Sequence, residues 1–109
     1  MTTKTERIRA LNDELRTKGI GGRVVLTRGI AALPNQVLQE ILAAVQTFDA
    51  FTVDNDPLGE HDFALLTVAD QRIMFKIDYY DRTMTYGSPD PADPTKTTRV
   101  LTILLASEY

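Results

Sequence analysis

The residues able to do chemistry crowd into the second half of the chain: Asn55, Asp56, Glu60, His61 and Asp62, then Lys76, Asp78, Tyr80 and Asp81, then Asp90 and Arg99. If the loop folds over the hairpin, carboxylates, the sole histidine, Lys76 and two tyrosines, Tyr79 and Tyr80, would converge at one end of the sheet as a candidate pocket. His61, set between two acids, could act as a general base held in one tautomer by a carboxylate. Its structural alternative is a loop histidine whose ring hydrogen-bonds a backbone carbonyl to hold the turn. Asp54, Asp56, Glu60 and Asp62 are hard oxygen donors of the kind magnesium or calcium takes, but their spacing does not fit an EF-hand loop. No metal or cofactor is therefore expected. A nuclease-type arrangement needs a carboxylate two residues before the lysine, whereas Met74 precedes Lys76 and Asp78 follows it. Neither Ser88 nor Ser107 sits in a nucleophile elbow. Asp90 and Asp93, each followed by proline, read as turn and cap residues, and Arg99 could pair with one of them to staple the loop to the last segment.

Composition narrows the chemistry further. A chain of 109 residues, 43% hydrophobic and 25% charged, is expected to form one domain over residues 1 to 109. With no cysteine and one histidine, disulfides, thiolate nucleophiles, cysteine zinc sites and His-pair metal motifs are excluded. No apolar run reaches the length of a membrane span, and the charged start MTTKTERIRALNDEL is unlike a signal peptide, so the expected location is the cytoplasm, with no membrane partner. Charge is uneven: residues 1 to 28 carry +4 and the remainder −7, for a net −3. That is either a basic arm beside an acidic body or two solvated faces that attract each other.

The elements that must position these groups follow from pattern. Thr3 and Glu6 fit a capping box, with Ile8, Leu11 and Leu15 on one face, which predicts a helix over roughly residues 4 to 17. Gly19, Gly21 and Gly22 end it, and RVVLT at 23 to 27 reads as a strand. The glycines follow a helix and precede a strand, the reverse of a phosphate-cradling loop, so they form a turn. Pro34 and Asn35 open a second helix whose stripe is Val37, Leu38, Ile41, Ala44, Val45 and Phe48, with Asn35 able to cap it. Residues 54 to 59 should be a structured loop. Residues 62 to 68 and 72 to 80 form a hairpin, with Ile73, Phe75, Ile77 and Tyr79 facing one way and Met74, Lys76, Asp78 and Tyr80 the other. Thr83 to Tyr86 is a candidate further strand, and the proline-rich SPDPADP is neither helix nor central strand. Residues 97 to 108 suit a buried helix begun near Asp93-Pro94 or Thr95, although their Val, Thr and Ile content also suits a strand.

The strings NDPLGEHDF (55 to 63), FKIDYYD (75 to 81), GSPDPADP (87 to 94) and TRVLTILLASEY (98 to 109), extended by NDELR, VVLTRGIAALP and FDAFTVDNDP, cover nearly the whole chain. On these strings it resembles an uncharacterised domain-of-unknown-function family of small bacterial proteins, similar in occurrence to plasmid, phage and integrated-element cargo. Phe75 stands where that family carries Trp, and Ala64 where a glycine is usual. The resemblance implies no assigned activity and carries over no catalytic residue.

The expected architecture is α+β: a short antiparallel sheet of three to four strands in a meander, covered by helices on one face. The expected function is a small non-enzymatic protein-binding or regulatory module of a bacterial mobile element, with another protein as partner and a homodimer as a variant of that reading. The cluster named above would be its recognition surface, and the acidic charge of residues 29 to 109 favours basic partners. Two alternatives stand beside it: a metal-dependent enzyme using Glu60, His61, Asp62, Lys76 and Asp78, or nucleic-acid binding through Arg7, Arg9, Arg16, Lys18, Arg23 and Arg28.

Overall fold

The structure, a computed structural model, describes residues 2–109. Helix α1 spans Lys4–Lys18, starts where the Thr3 hydroxyl accepts the Glu6 N–H at 3.1 Å, and stops at Gly19. Gly19 turns left-handed at φ 71° while its N–H donates to Leu15 O, a conformation that suits a residue without a Cβ. The chain passes through Gly22, whose place a side chain could not share, since a Cβ there would lie 2.5 Å from the Arg99 carbonyl oxygen. Strand β1 (Arg23–Leu26) follows, then a single helical turn, α2 (Arg28–Ala31), capped by the Thr27 hydroxyl. Helix α3 covers Asn35–Thr47; Pro34 takes the cap position and no side chain caps it, so Asn35 does not serve the role its type suggests. Strands β2 (Phe63–Val68) and β3 (Gln71–Tyr80) form the expected hairpin, turned by Ala69 and Asp70 at φ 49° and 65°, as a two-residue type I′ turn requires.

Residues 98–105 are a strand, β4 (Thr98–Leu105), and not the expected helix. The sheet order β1-β4-β3-β2 places β4 in the middle, where Val100, Leu101, Ile103 and Leu104 are all buried. A strand buried on both faces loses its polar alternation and reads as a continuous apolar run, which by pattern alone is indistinguishable from a buried helix. Asp93 does not cap a helix; its carboxylate accepts the N–H and hydroxyl of Thr95 in a turn, and those bonds hold it below the usual carboxylate pKa. The sheet is α+β as expected but mixed: β3 runs antiparallel to β2 and β4, whereas β1 runs parallel to β4. Thr83–Tyr86 adds no strand. Asp81 Oδ1 accepts the Thr85 N–H and the Thr83 hydroxyl, Met84 turns to φ 61°, and only a Tyr80–Gly87 bridge remains.

The core lies between the helices and one sheet face, built from Leu15, Ile30, Ile41, Val45, Ala64, Ile73, Phe75, Ile77, Leu101 and Ile103. Phe48 and Phe51 pack edge-on to Phe75 at 5.8 and 6.3 Å, the arrangement aromatic quadrupoles favour. At the far end the chain docks by Glu108, whose carboxylate accepts from the Thr27 hydroxyl and the Gly29 and Leu105 amides. These donors lower its pKa. No helix among the described residues is long and apolar enough to cross a membrane.

Candidate functional site

The loop from Thr52 to Asp62 is folded by its own side chains. Asn55 Oδ1 accepts the Thr52 N–H at 2.7 Å, Asn55 Nδ2 donates to Ala50 O, and Asp56 accepts the His61 N–H with both oxygens at 3.2 and 3.3 Å. That clamp holds His61 at φ 55°, a left-handed conformation that costs a non-glycine residue energy unless its surroundings impose it. The ring then stacks flat on Phe51, 3.9 Å between centroids, and places Nδ1 2.9 Å from Asp13 Oδ1 on α1. An ionised carboxylate can only accept, so Nδ1 carries the proton in this pair. The other nitrogen faces Asp56 Oδ2 at 3.7 Å. Arg16 closes the arrangement from behind: buried over the Phe51 and Phe75 rings, it donates to the Val45 and Phe48 carbonyls and pairs with Asp13 at 3.3 Å. With a carboxylate beside each ring nitrogen, the geometry is that of a latch between α1 and the loop. An open cleft of about 430 Å³ lies alongside it, lined by Arg9, Phe51, Val53, Asp56, Leu58 and His61 among others.

A second polar group is centred on two buried side chains, Arg99 and Asn12. Arg99, 2% exposed, donates through Nε to Asn12 Oδ1 at 2.7 Å and through its guanidinium to the Pro91 carbonyl, and lies 5.1 Å over the Tyr79 ring. Asn12 Nδ2 donates to the Tyr79 hydroxyl and to Glu60 O, and the Tyr79 hydroxyl donates to Glu60 Oε1 at 2.7 Å. Burial lowers the Arg99 pKa, against the opposing pull of Tyr79 and Glu60. Burial, reinforced by Glu60, pushes the Tyr79 phenol far up, so it stays a donor. Arg99 does tie the proline loop to β4, but through the Pro91 carbonyl. Its expected carboxylate partners are engaged elsewhere: Asp90 lies 3.7 Å from Lys4 and accepts the Ala92 N–H, and Asp93 binds Thr95.

Lys76 and Asp78 lie on the opposite face of the sheet, two residues apart on β3 and therefore side by side, with Nζ 2.5 Å from Oδ2. The hydrogen bond to Asp78 raises the Lys76 pKa. Tyr80 follows on the same face, where cross-strand register adds partly exposed Phe63, Leu65 and Thr102 beside Met74, Val100 and Leu104, which their neighbours bury. The sheet thus divides the sequence cluster. Asn55, Asp56, Glu60 and His61 meet in and beside the latch, and Arg99 reaches them through Asn12 and Tyr79. Lys76, Asp78 and Tyr80 face away, Asp81 folds its own turn, and Asp90 sits by α1. Asp62 lies between the two groups; burial raises its pKa, and Glu60, Asp56 and Asp78 add to the effect. Among the described residues, no group of three or more His, Asp or Glu could hold a metal ion.

The sequence reading missed Asn12, Asp13 and Phe51, and counted Arg16 only among basic residues. A signal was present: Ile8, Asn12, Leu15 and Arg16 share one helical stripe, and polar residues at core positions imply internal partners. The basic N-terminal set does not form one face, because Arg16 is buried and Arg9 donates to Gly59 O at 2.6 Å.

Searches of curated proteins and of solved structures return no significant match. A family model, protein of unknown function (DUF3768), matches residues 26–108, which include every loop and strand residue of the latch and of the open face but not Asn12, Asp13 and Arg16. On that match, over well more than half its length, the chain belongs to the DUF3768 family of proteins of unknown function.

Proposed function

We propose that the chain is a small non-enzymatic binding module, carried by a bacterial mobile element, that docks another protein on the open face of its sheet. The observation that carries this reading is the Lys76–Asp78 pair, about one-third exposed on the face away from the core and flanked by Phe63, Leu65 and Tyr80. Phe63, Leu65 and Tyr80 offer the apolar and aromatic contact area that interfaces use, and the ion pair beside them would set orientation and charge selectivity. The groups that could do catalysis support it from the other side: His61, Glu60, Tyr79 and Arg99 are spent on bonds inside the molecule. Residues 29 to 109 carry a net −7, which favours a basic partner surface. The mobile-element context rests on the resemblance of the sequence strings.

The test is affinity capture from the native host with wild type, Lys76→Glu and His61→Ala, each checked for melting temperature. The reading expects Lys76→Glu to lose the partner at a smaller cost in stability than His61→Ala, and His61→Ala to keep the partner. One feature favours a second copy as the occupant: a Lys–Asp pair is self-complementary about a twofold axis. Sedimentation of the purified chain distinguishes the two, since a dimer that Lys76→Glu dissociates identifies the second copy.

A further inference from the structure

We propose that the free edge of β1 accepts an extended acidic segment of another protein as a fifth strand. The sheet order leaves β1 paired on one side only. Thr27 donates its N–H to Ile103 O at 3.1 Å. In a parallel ladder alternate residues face the partner strand, so the amides and carbonyls of Val24 and Leu26 face outward. The edge is not shielded: Ile20, Val24 and Val25 are 54%, 47% and 44% exposed. Behind it, on the helix side, Leu15, Val24, Leu42, Val45 and Leu101 line a slot of about 50 Å³. An added strand would direct every second side chain toward that slot, which is how strand addition combines main-chain affinity with side-chain selection.

Charge decides which strand fits. Lys18, Arg23 and Arg28 stand exposed around β1, and among the described residues none has a carboxylate within ion-pair distance. Two β1 edges paired together would bring these cations against their own copies, a repulsive arrangement that keeps edges from self-pairing. The same cations attract a strand bearing Glu or Asp beside small apolar residues. This surface lies two strands away from Lys76, so it stands or falls independently of the open-face reading.

The test is an NMR titration of the intact chain with a synthetic peptide of alternating valine and glutamate, and with its valine–lysine counterpart. The glutamate peptide is expected to bind and to slow exchange of the Val24 and Leu26 amides, and the lysine peptide is expected not to bind. Arg23→Glu combined with Arg28→Glu should weaken the glutamate peptide by about tenfold or more, about 1.4 kcal/mol, and admit the lysine peptide. Val24→Pro removes one outward donor and should weaken the glutamate peptide while leaving the bonds to β4. No binding of the glutamate peptide, equal binding of both peptides, protection confined to other amides, or a charge-reversed variant that binds as wild type would overturn the proposal. Lys76 and Asp78 are untouched throughout, so the open face can fail its own test without altering this one.

Discussion

The two faces of the sheet carry polar residues of the same types and use them in opposite ways. On the helix side buried Arg99 and Asn12 join half-buried Tyr79 and Glu60 in a chain of short bonds, and His61 is held between Asp13 and Asp56. On the open side Lys76 and Asp78 have only each other, and both remain about one-third exposed. A buried polar group must be saturated because an unmade bond there costs its full desolvation, whereas an exposed ion pair is worth little to the fold. The first set is therefore spent on holding helix, loop and sheet together, and the second is available to a partner.

Substitutions can break that contrast, and Arg99 should show the largest effect. Arg99→Ala strands the Asn12 and Pro91 oxygens in the interior and should cost about 3 kcal/mol, read as a lowered urea midpoint. A loss below about 1 kcal/mol would mean that the network does not carry the fold. Next comes the latch: Asp13→Ala should cost about 1–2 kcal/mol and speed amide exchange through residues 52–61. Exchange that quickens only in α1 would show that the loop is held without His61.

Asp62 offers a test by pH. Its folded-state pKa is raised, chiefly by burial, so the native state holds the proton more tightly than the unfolded chain does. The contribution of Asp62 to stability is full below the unfolded carboxylate pKa, near 3.9, and is lost as pH rises through the higher folded value. Asp62→Asn should therefore raise the melting temperature at pH 7, with the gain shrinking toward pH 3. A constant difference across that range would place the carboxylate in a water-like setting. The smallest effect on the fold belongs to Lys76→Ala, within about 1 kcal/mol, as expected for an exposed pair.

Most of the local structure was legible because local chemistry dictates it: the Thr3 cap, the Gly19 stop, the hairpin of β2 and β3 and the alternation along β3. What escaped was set by tertiary position. Residues 98–105 became a strand because β4 lies between β1 and β3; their Val, Thr and Ile content pointed that way, but the continuous apolar run did not decide it. The candidate cluster was legible as a list but not as a geometry. Phe75 and Lys76 are neighbours on β3 yet point to opposite sides of the sheet, and His61 found its carboxylate partners on α1 and five residues back rather than next door.

The most direct measurement of the division between a structural inner face and a binding outer face is partner capture by Lys76→Glu and His61→Ala, with melting curves recorded on the same samples. The account predicts that Lys76→Glu melts closer to wild type than His61→Ala does and loses the partner, while His61→Ala melts earlier and retains it. An early-melting Lys76→Glu that keeps the partner, or a His61→Ala that melts normally and loses it, would contradict the account.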